Sequence, residues 1–171
     1  EICACLVGSE MCIRDSYYTN FTYWTQHCWG VTCVNDMEAM LSYQPITIGD
    51  KEQALADLVR CYEKMMMRSH TNGGYVNLLD ECWKMCEKFH TNIVIMYDHV
   101  SCKNVGGLHG LFEDQARERG IHLIWIPHDV MDPRTVSRRE MREAFSQYMV
   151  TVLNEKPLDP TLLDYEDTLS W

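Results

Sequence analysis

The segment Thr91 to Tyr97 is a continuous apolar run of strand length, and Ile121 to Ile126 repeats the pattern. Strands that read as apolar throughout, without alternation, belong to sheets covered on both faces. Each run follows an amphipathic helical pattern. Leu78, Leu79, Cys82, Trp83, Cys86 and Phe89 recur at spacings of three and four, and a helix from about Val105 to Arg119 is closed by Gly120 at its C′ position. Further upstream, Gly30 to Asn35 reads as a short strand. After it, Pro45 and Gly49 mark a loop, and Asp50 caps a helix whose face of Ala54, Leu55, Leu58, Val59, Tyr62, Met65 and Met66 needs a sheet to cover it. Ser137 with Glu140 forms a capping box for a last helix with Met141, Ala144, Phe145, Tyr148, Met149 and Val152 inward. Strand and helix alternate, which predicts an α/β fold. The expected form is an open, mainly parallel sheet with flanking helices, flavodoxin- or Rossmann-like in three layers, with functional groups in loops at the strands' carboxyl ends.

Composition narrows the function classes. At 171 residues, 46% hydrophobic and 23% charged, the chain suits one globular core. A net charge of −10 without a basic cluster argues against nucleic acid as a partner. No stretch approaches the roughly twenty apolar residues that cross a bilayer, so no membrane role and a cytoplasmic location are expected. Nine cysteines are odd in number, unevenly spaced and accompanied by eleven methionines, which favours reduced thiols over a disulfide framework. There is no Cys-x-x-Cys pair to signal a zinc site. Cys82 and Cys86 stand one helical turn apart, a spacing compatible with a metal but better explained by core packing.

The run from Cys5 to Ser16 resembles, residue for residue, one reading frame of a transposon end used in preparing sequencing libraries. Residues 1–16 are therefore expected to be adapter-derived and non-native, without helical or strand periodicity, which removes Cys3, Cys5 and Cys12 as ligands. Residues 17–153 are then the α/β domain, truncated at its N-terminus. Residues 154–171 form a tail wrapped on the domain or on a partner, with Trp171 as an anchor.

The loop after the central run holds Asp98-His99-Val100-Ser101-Cys102-Lys103. Cys102 is the cysteine at a strand's carboxyl end followed by a helix N-terminus, where a thiolate is stabilised for nucleophilic or metal-binding work. His99 and Lys103 flank it. His128-Asp129 and Asp132-Pro133-Arg134 close the next strand, where turn chemistry and capping are the plainer explanation. Gly106-Gly107-x-x-Gly110 lacks the order of a dinucleotide fingerprint and is expected to let the helix pack closely.

From Asp98 to Leu153 the chain resembles the C-terminal domain of the 2-hydroxyglutaryl-CoA dehydratase D-component and benzoyl-CoA reductase subunit family. The matching features, in order, are Ile93-Val94-Ile95-Met96, Ser101-Cys102-Lys103, Glu118-Arg119-Gly120-Ile121, Asp129-x-x-Asp132-x-Arg134, then Ser137 and a helix carrying Arg142 and Phe145. The resemblance implies a subunit that holds a [4Fe-4S] cluster through three cysteines with one iron left open. Cys102 matches the last of them. Ser101, Lys103, His99 and Asp129 are expected near the cluster or the substrate, and the other two ligands belong to a preceding domain, not to Cys28 or Cys33. It further implies a lyase that eliminates water from a 2-hydroxyacyl-CoA through a ketyl radical. The implied partners are a homologous sister subunit in a heterodimer, an ATP-dependent iron–sulfur activator and the acyl-CoA substrate. The reductase branch shares the cluster domain, and a non-catalytic α/β ligand-binding or thiol-sensor domain is the rival of another class.

Overall fold

The run expected to lie at the centre of a sheet does so. It forms a strand from Ile93 to His99 in which six of the seven residues are buried and Asp98 is half-buried. The computed structural model describes residues 3–9, 20–37, 45–63, 68, 74–100, 102–129, 132 and 134–164. Their strands are β1 (Cys3–Ser9), β2 (Val31–Asp36), β3 (Ile93–His99) and β4 (His122–His128), in the order β2-β1-β3-β4 with every neighbouring pair parallel. The helices are α1 (Phe21–Trp29), α2 (Lys51–Glu63), α3 (Tyr75–Phe89), α4 (Lys103–Gly106), α5 (His109–Arg119) and α6 (Arg138–Thr151). The chain is thus α/β with a parallel sheet.

Alternation along β3 divides the interior in two. Ile93, Ile95 and Tyr97 join Phe21, Trp24 and Cys28 of α1 and Met141, Phe145 and Met149 of α6. Val94 and Met96 join Leu78, Leu79, Cys82, Trp83 and Cys86 of α3 and Phe112 and Ala116 of α5. Handedness explains this division. The path from β1 to β2 steps one way along the sheet and the path from β2 through β3 to β4 steps back, so right-handed crossovers bring their helices to opposite faces.

The run without strand periodicity contributes β1, which pairs with β2 from Cys3↔Val31 to Val7↔Asp36 and with β3 from Cys5↔Ile93 to Ser9↔Tyr97. Two facing rows of backbone donors and acceptors need an extended segment between them.

β4 stands at the sheet's edge, where Pro127 is tolerated. His122 donates its N–H to Asn92 in the direction of β3, so the even-numbered residues face the sheet and Pro127, which has no N–H, faces outward.

The capping box is present. Glu140 N–H donates to Ser137 Oγ at 3.2 Å, and Ser137 N–H donates to Glu140 Oε2 at 2.6 Å. α1 ends at Gly30 with φ 72°, a left-handed conformation that favours glycine. Residues 158–162 lie against α1: Leu158 N–H donates to the Cys28 carbonyl at 2.7 Å, and Trp24 Nε1 donates to the Leu162 carbonyl at 2.9 Å. Trp171, Met65 and Met66 lie outside the described residues.

α2 departs from its expected burial. Asp50 caps it through Glu52 N–H and Gln53 N–H, but Leu55, Leu58, Val59 and Tyr62 are exposed while Asp57 and Cys61 are buried. The Asp57 carboxylate accepts from Thr47 N–H, Thr47 Oγ1, Gln53 Nε2 and Arg60, and these bonds turn the polar side of the helix toward the preceding loop. The same bonds, Thr47's first, hold the Asp57 carboxyl below its ordinary pKa. Among the described residues, no helix is long and apolar enough to cross a membrane.

Candidate functional site

The carboxyl ends of β3 and β4 carry His99 and His128 in register, so the two imidazoles meet at the rim of the sheet. Their ring centroids are 6.0 Å apart at 77°, and Tyr97 approaches His128 at 5.2 Å. His99 Nε2 lies 3.6 Å from Asp129 Oδ1, and both side chains are nearly inaccessible. Asp129 also accepts Asp132 N–H at 3.2 Å, so it combines the expected turn role with a contact to a buried imidazole. Burial above all, and His99 next, push His128 down to about 4 against the opposing pull of Asp129. His128 is therefore a neutral imidazole at pH 7.

On the other face of the sheet, Asp98 of β3, Trp125 of β4 and His109 of α5 come together. The His109 ring stacks on Trp125 at 3.6 Å and 17°, and its Nε2 lies 3.4 Å from Asp98 Oδ1. Both carboxylate and imidazole are partly exposed, so this pair opens toward solvent while the His99–Asp129 pair is closed.

Cys102 belongs to the Asp98 face, half-buried against the core of α3 and α5. Its N–H donates to His99 O at 2.9 Å, and its own carbonyl accepts Gly106 N–H at 3.1 Å. The helix after it differs from expectation. The chain makes the single turn α4, breaks at Gly107-Leu108, and begins α5 at His109. Cys102 thus precedes four helical residues and not a long helix, so the aligned dipole invoked for a thiolate there is largely missing. Close packing does not account for Gly106 or Gly110, because a Cβ at either would meet nothing within 4 Å. Lys103 is exposed, and Ser101 lies outside the described residues.

Asp132 and Arg134 form an exposed bidentate pair at 2.8–2.9 Å, the turn chemistry expected of them. The Arg134 hydrogen bonds hold the Asp132 carboxyl below its usual range.

The remaining cysteines are dispersed. Cys28 is buried and donates weakly to the Asp159 carbonyl at 3.6 Å. Burial first and Asp159 second raise its thiol to about 11, against Arg142. Cys33 donates to the Asn35 carbonyl. Cys82 and Cys86 are buried in the second core, as packing residues would be. Among the described residues no three of His, Cys, Asp and Glu gather where a metal ion could sit. Among the described residues, Cys102 has no second cysteine beside it to complete a ligand set for an iron–sulfur cluster.

His99, Cys102 and Asp129 follow from their places at strand ends, whereas the stack of His109 on Trp125 and the meeting of His128 with His99 join separate elements. The signal available for the last was the equal position of two histidines at the ends of adjacent strands. Comparison of the chain with family models, with curated proteins and with solved structures finds no match.

Proposed function

We propose that the chain is the C-terminal α/β portion of a 2-hydroxyacyl-CoA dehydratase iron–sulfur subunit, flavodoxin- or Rossmann-like in three layers. The observation that carries this reading is the place of Cys102. It follows β3 directly, and β3 borders β1 where the strand order reverses, the crevice in which open parallel sheets bind their ligands. Cores on both faces and the order β2-β1-β3-β4 support the doubly wound arrangement. The resemblance between Asp98 and Leu153 adds the chemistry of the residue.

In this reading Cys102 contributes one thiolate to a [4Fe-4S] cluster whose other ligands lie in a preceding domain. Such a cluster, held by Cys102 and ligands from outside these residues, would supply low-potential one-electron chemistry and Lewis acidity. The chain's own share is positioning and exclusion of water: the closed His99–Asp129 pair and the neutral His128 back the rim, while Asp98, His109 and Lys103 face outward. A sister subunit, an ATP-dependent activator, an acyl-CoA substrate and a cytoplasmic location complete the proposal.

The test is anaerobic reconstitution, with iron and sulfide, of the product of the reading frame that carries this chain, in wild type and Cys102→Ala. The reading expects about four irons per chain in wild type and their loss in the variant, with the circular dichroism of the two alike. Unchanged iron in Cys102→Ala overturns it and leaves a thiol-sensor or packing role for the residue. Reconstituted protein that reduces an aromatic acyl-CoA and leaves 2-hydroxyacyl-CoA untouched assigns the reductase branch instead.

A further inference from the structure

Along its free edge, β4 borders a cleft that the rim site does not use. The cleft has a volume of about 400 Å³ and is bounded by α5, the Gly120 turn, the start of β4 and Tyr148 of α6. That volume suits a small organic molecule. The cleft lies at the amino end of the strand, roughly 20 Å from His128 at a rise of about 3.3 Å per residue, so a ligand there does not meet the Cys102 rim.

Its walls combine an apolar floor, an aromatic corner and a charged lip. Ala116 and Leu123 are buried, and Ile121 is half-buried. The rings of His122 and Tyr148 meet at 76° with centroids 6.3 Å apart. Because His122 faces β3, the next residue, Leu123, turns its backbone carbonyl outward at the cleft. Glu113 and Arg117 stand one turn apart on α5 and form the lip.

Electrostatics decide which ligand fits. Arg117 already pairs with Asp114 at 3.2 Å. Glu113, Asp114 and Arg117 together carry one negative charge, on a chain whose net charge is −10. An anion would be repelled by the two carboxylates and would have to take Arg117 from its partner. A cation instead meets a carboxylate, a carbonyl oxygen and the face of a phenol ring.

We propose that this cleft binds a small organic amine. Its ammonium sits on Glu113 and the Leu123 carbonyl beside the Tyr148 ring, and its apolar body lies on Ala116, Ile121 and Leu123.

The experiment titrates the full chain with phenethylamine, read by calorimetry and saturation-transfer NMR, against phenethyl alcohol and 3-phenylpropionate, in which a hydroxyl or a carboxylate replaces the ammonium. The amine should bind, the alcohol about tenfold more weakly, and the acid not measurably. Glu113 is exposed, so Glu113→Gln should keep the fold and lower the amine affinity about tenfold. Tyr148→Leu, which removes the ring and keeps apolar bulk, should lower it about fivefold. Leu55→Lys with Val59→Lys, on the exposed stripe of α2, should leave it unchanged. Equal affinity for amine and acid, an amine affinity indifferent to Glu113→Gln or lowered by the α2 variant, or no binding of the amine at millimolar concentration overturns the proposal. Should Tyr148→Leu fail to fold, the ranking of the three probes and Glu113→Gln decide.

Discussion

Removing residues 1–16 is the perturbation with the largest expected effect. β1 pairs through five Cα partners with β2 and five with β3, in the middle of the sheet. At roughly 0.5–1.5 kcal/mol net per backbone hydrogen bond, the two ladders contribute about 5–15 kcal/mol. That equals the whole stability of a typical domain, about 5–15 kcal/mol. The inner edges of β2 and β3 would also be bared together, with no second segment of comparable composition between them. The shortened chain should therefore lose its cooperative transition. Thermal unfolding followed by circular dichroism compares the full chain with residues 17–171 directly. A shortened chain that melts cooperatively within about 4 °C of the full one has lost no more than about 2 kcal/mol. That result would refute the pairing of β1 with β2 and β3.

Further outcomes follow from the cores and the rim. Phe145 is fully buried and meets Phe21, Trp24 and Trp29 edge-on at 5.8–6.5 Å; Phe145→Ala should cost about 3–5 kcal/mol and Phe145→Leu clearly less, as read by urea midpoints. His128 holds its proton less well folded, at about 4, than its ordinary 6.5, so the unfolded chain takes up the proton first as pH falls. The stability it supports is fully present above pH 6.5 and declines toward pH 4. About 2 kcal/mol should be lost between pH 7 and 5, and His128→Leu should flatten that slope; an equal slope in the variant contradicts the assignment. The exposed stripe of Leu55, Leu58, Val59 and Tyr62 should bind an apolar dye. Leu55→Lys with Val59→Lys should reduce the dye signal while moving stability by no more than about 0.5 kcal/mol per site.

What was legible in the sequence was what a local pattern dictates. The buried run of β3, the inner stripe of α3, the Ser137–Glu140 box and the left-handed Gly120 each follow from a spacing or a residue type. β1 was not legible, because its identity depends on the partner strands it lies between. The orientation of α2 was hidden for a related reason. Its apolar count argued for burial, but the side chain that fixes it is Asp57, through a carboxylate that Thr47, Gln53 and Arg60 satisfy together. At the rim, Cys102, His99 and Asp129 follow from the rule that strand ends carry function. The stack of His109 on Trp125 joins α5 to β4, and no window of sequence contains that contact.

The central claim is that Cys102, set at the carboxyl edge of β3, is a ligand to iron. Low-temperature electron paramagnetic resonance of the dithionite-reduced, reconstituted protein tests it at the ligating atom. Cys102→Ser, which replaces sulfur with oxygen, should keep a cluster with shifted g values, and Cys102→Ala should lose the signal. Spectra of both variants identical to wild type would contradict the claim.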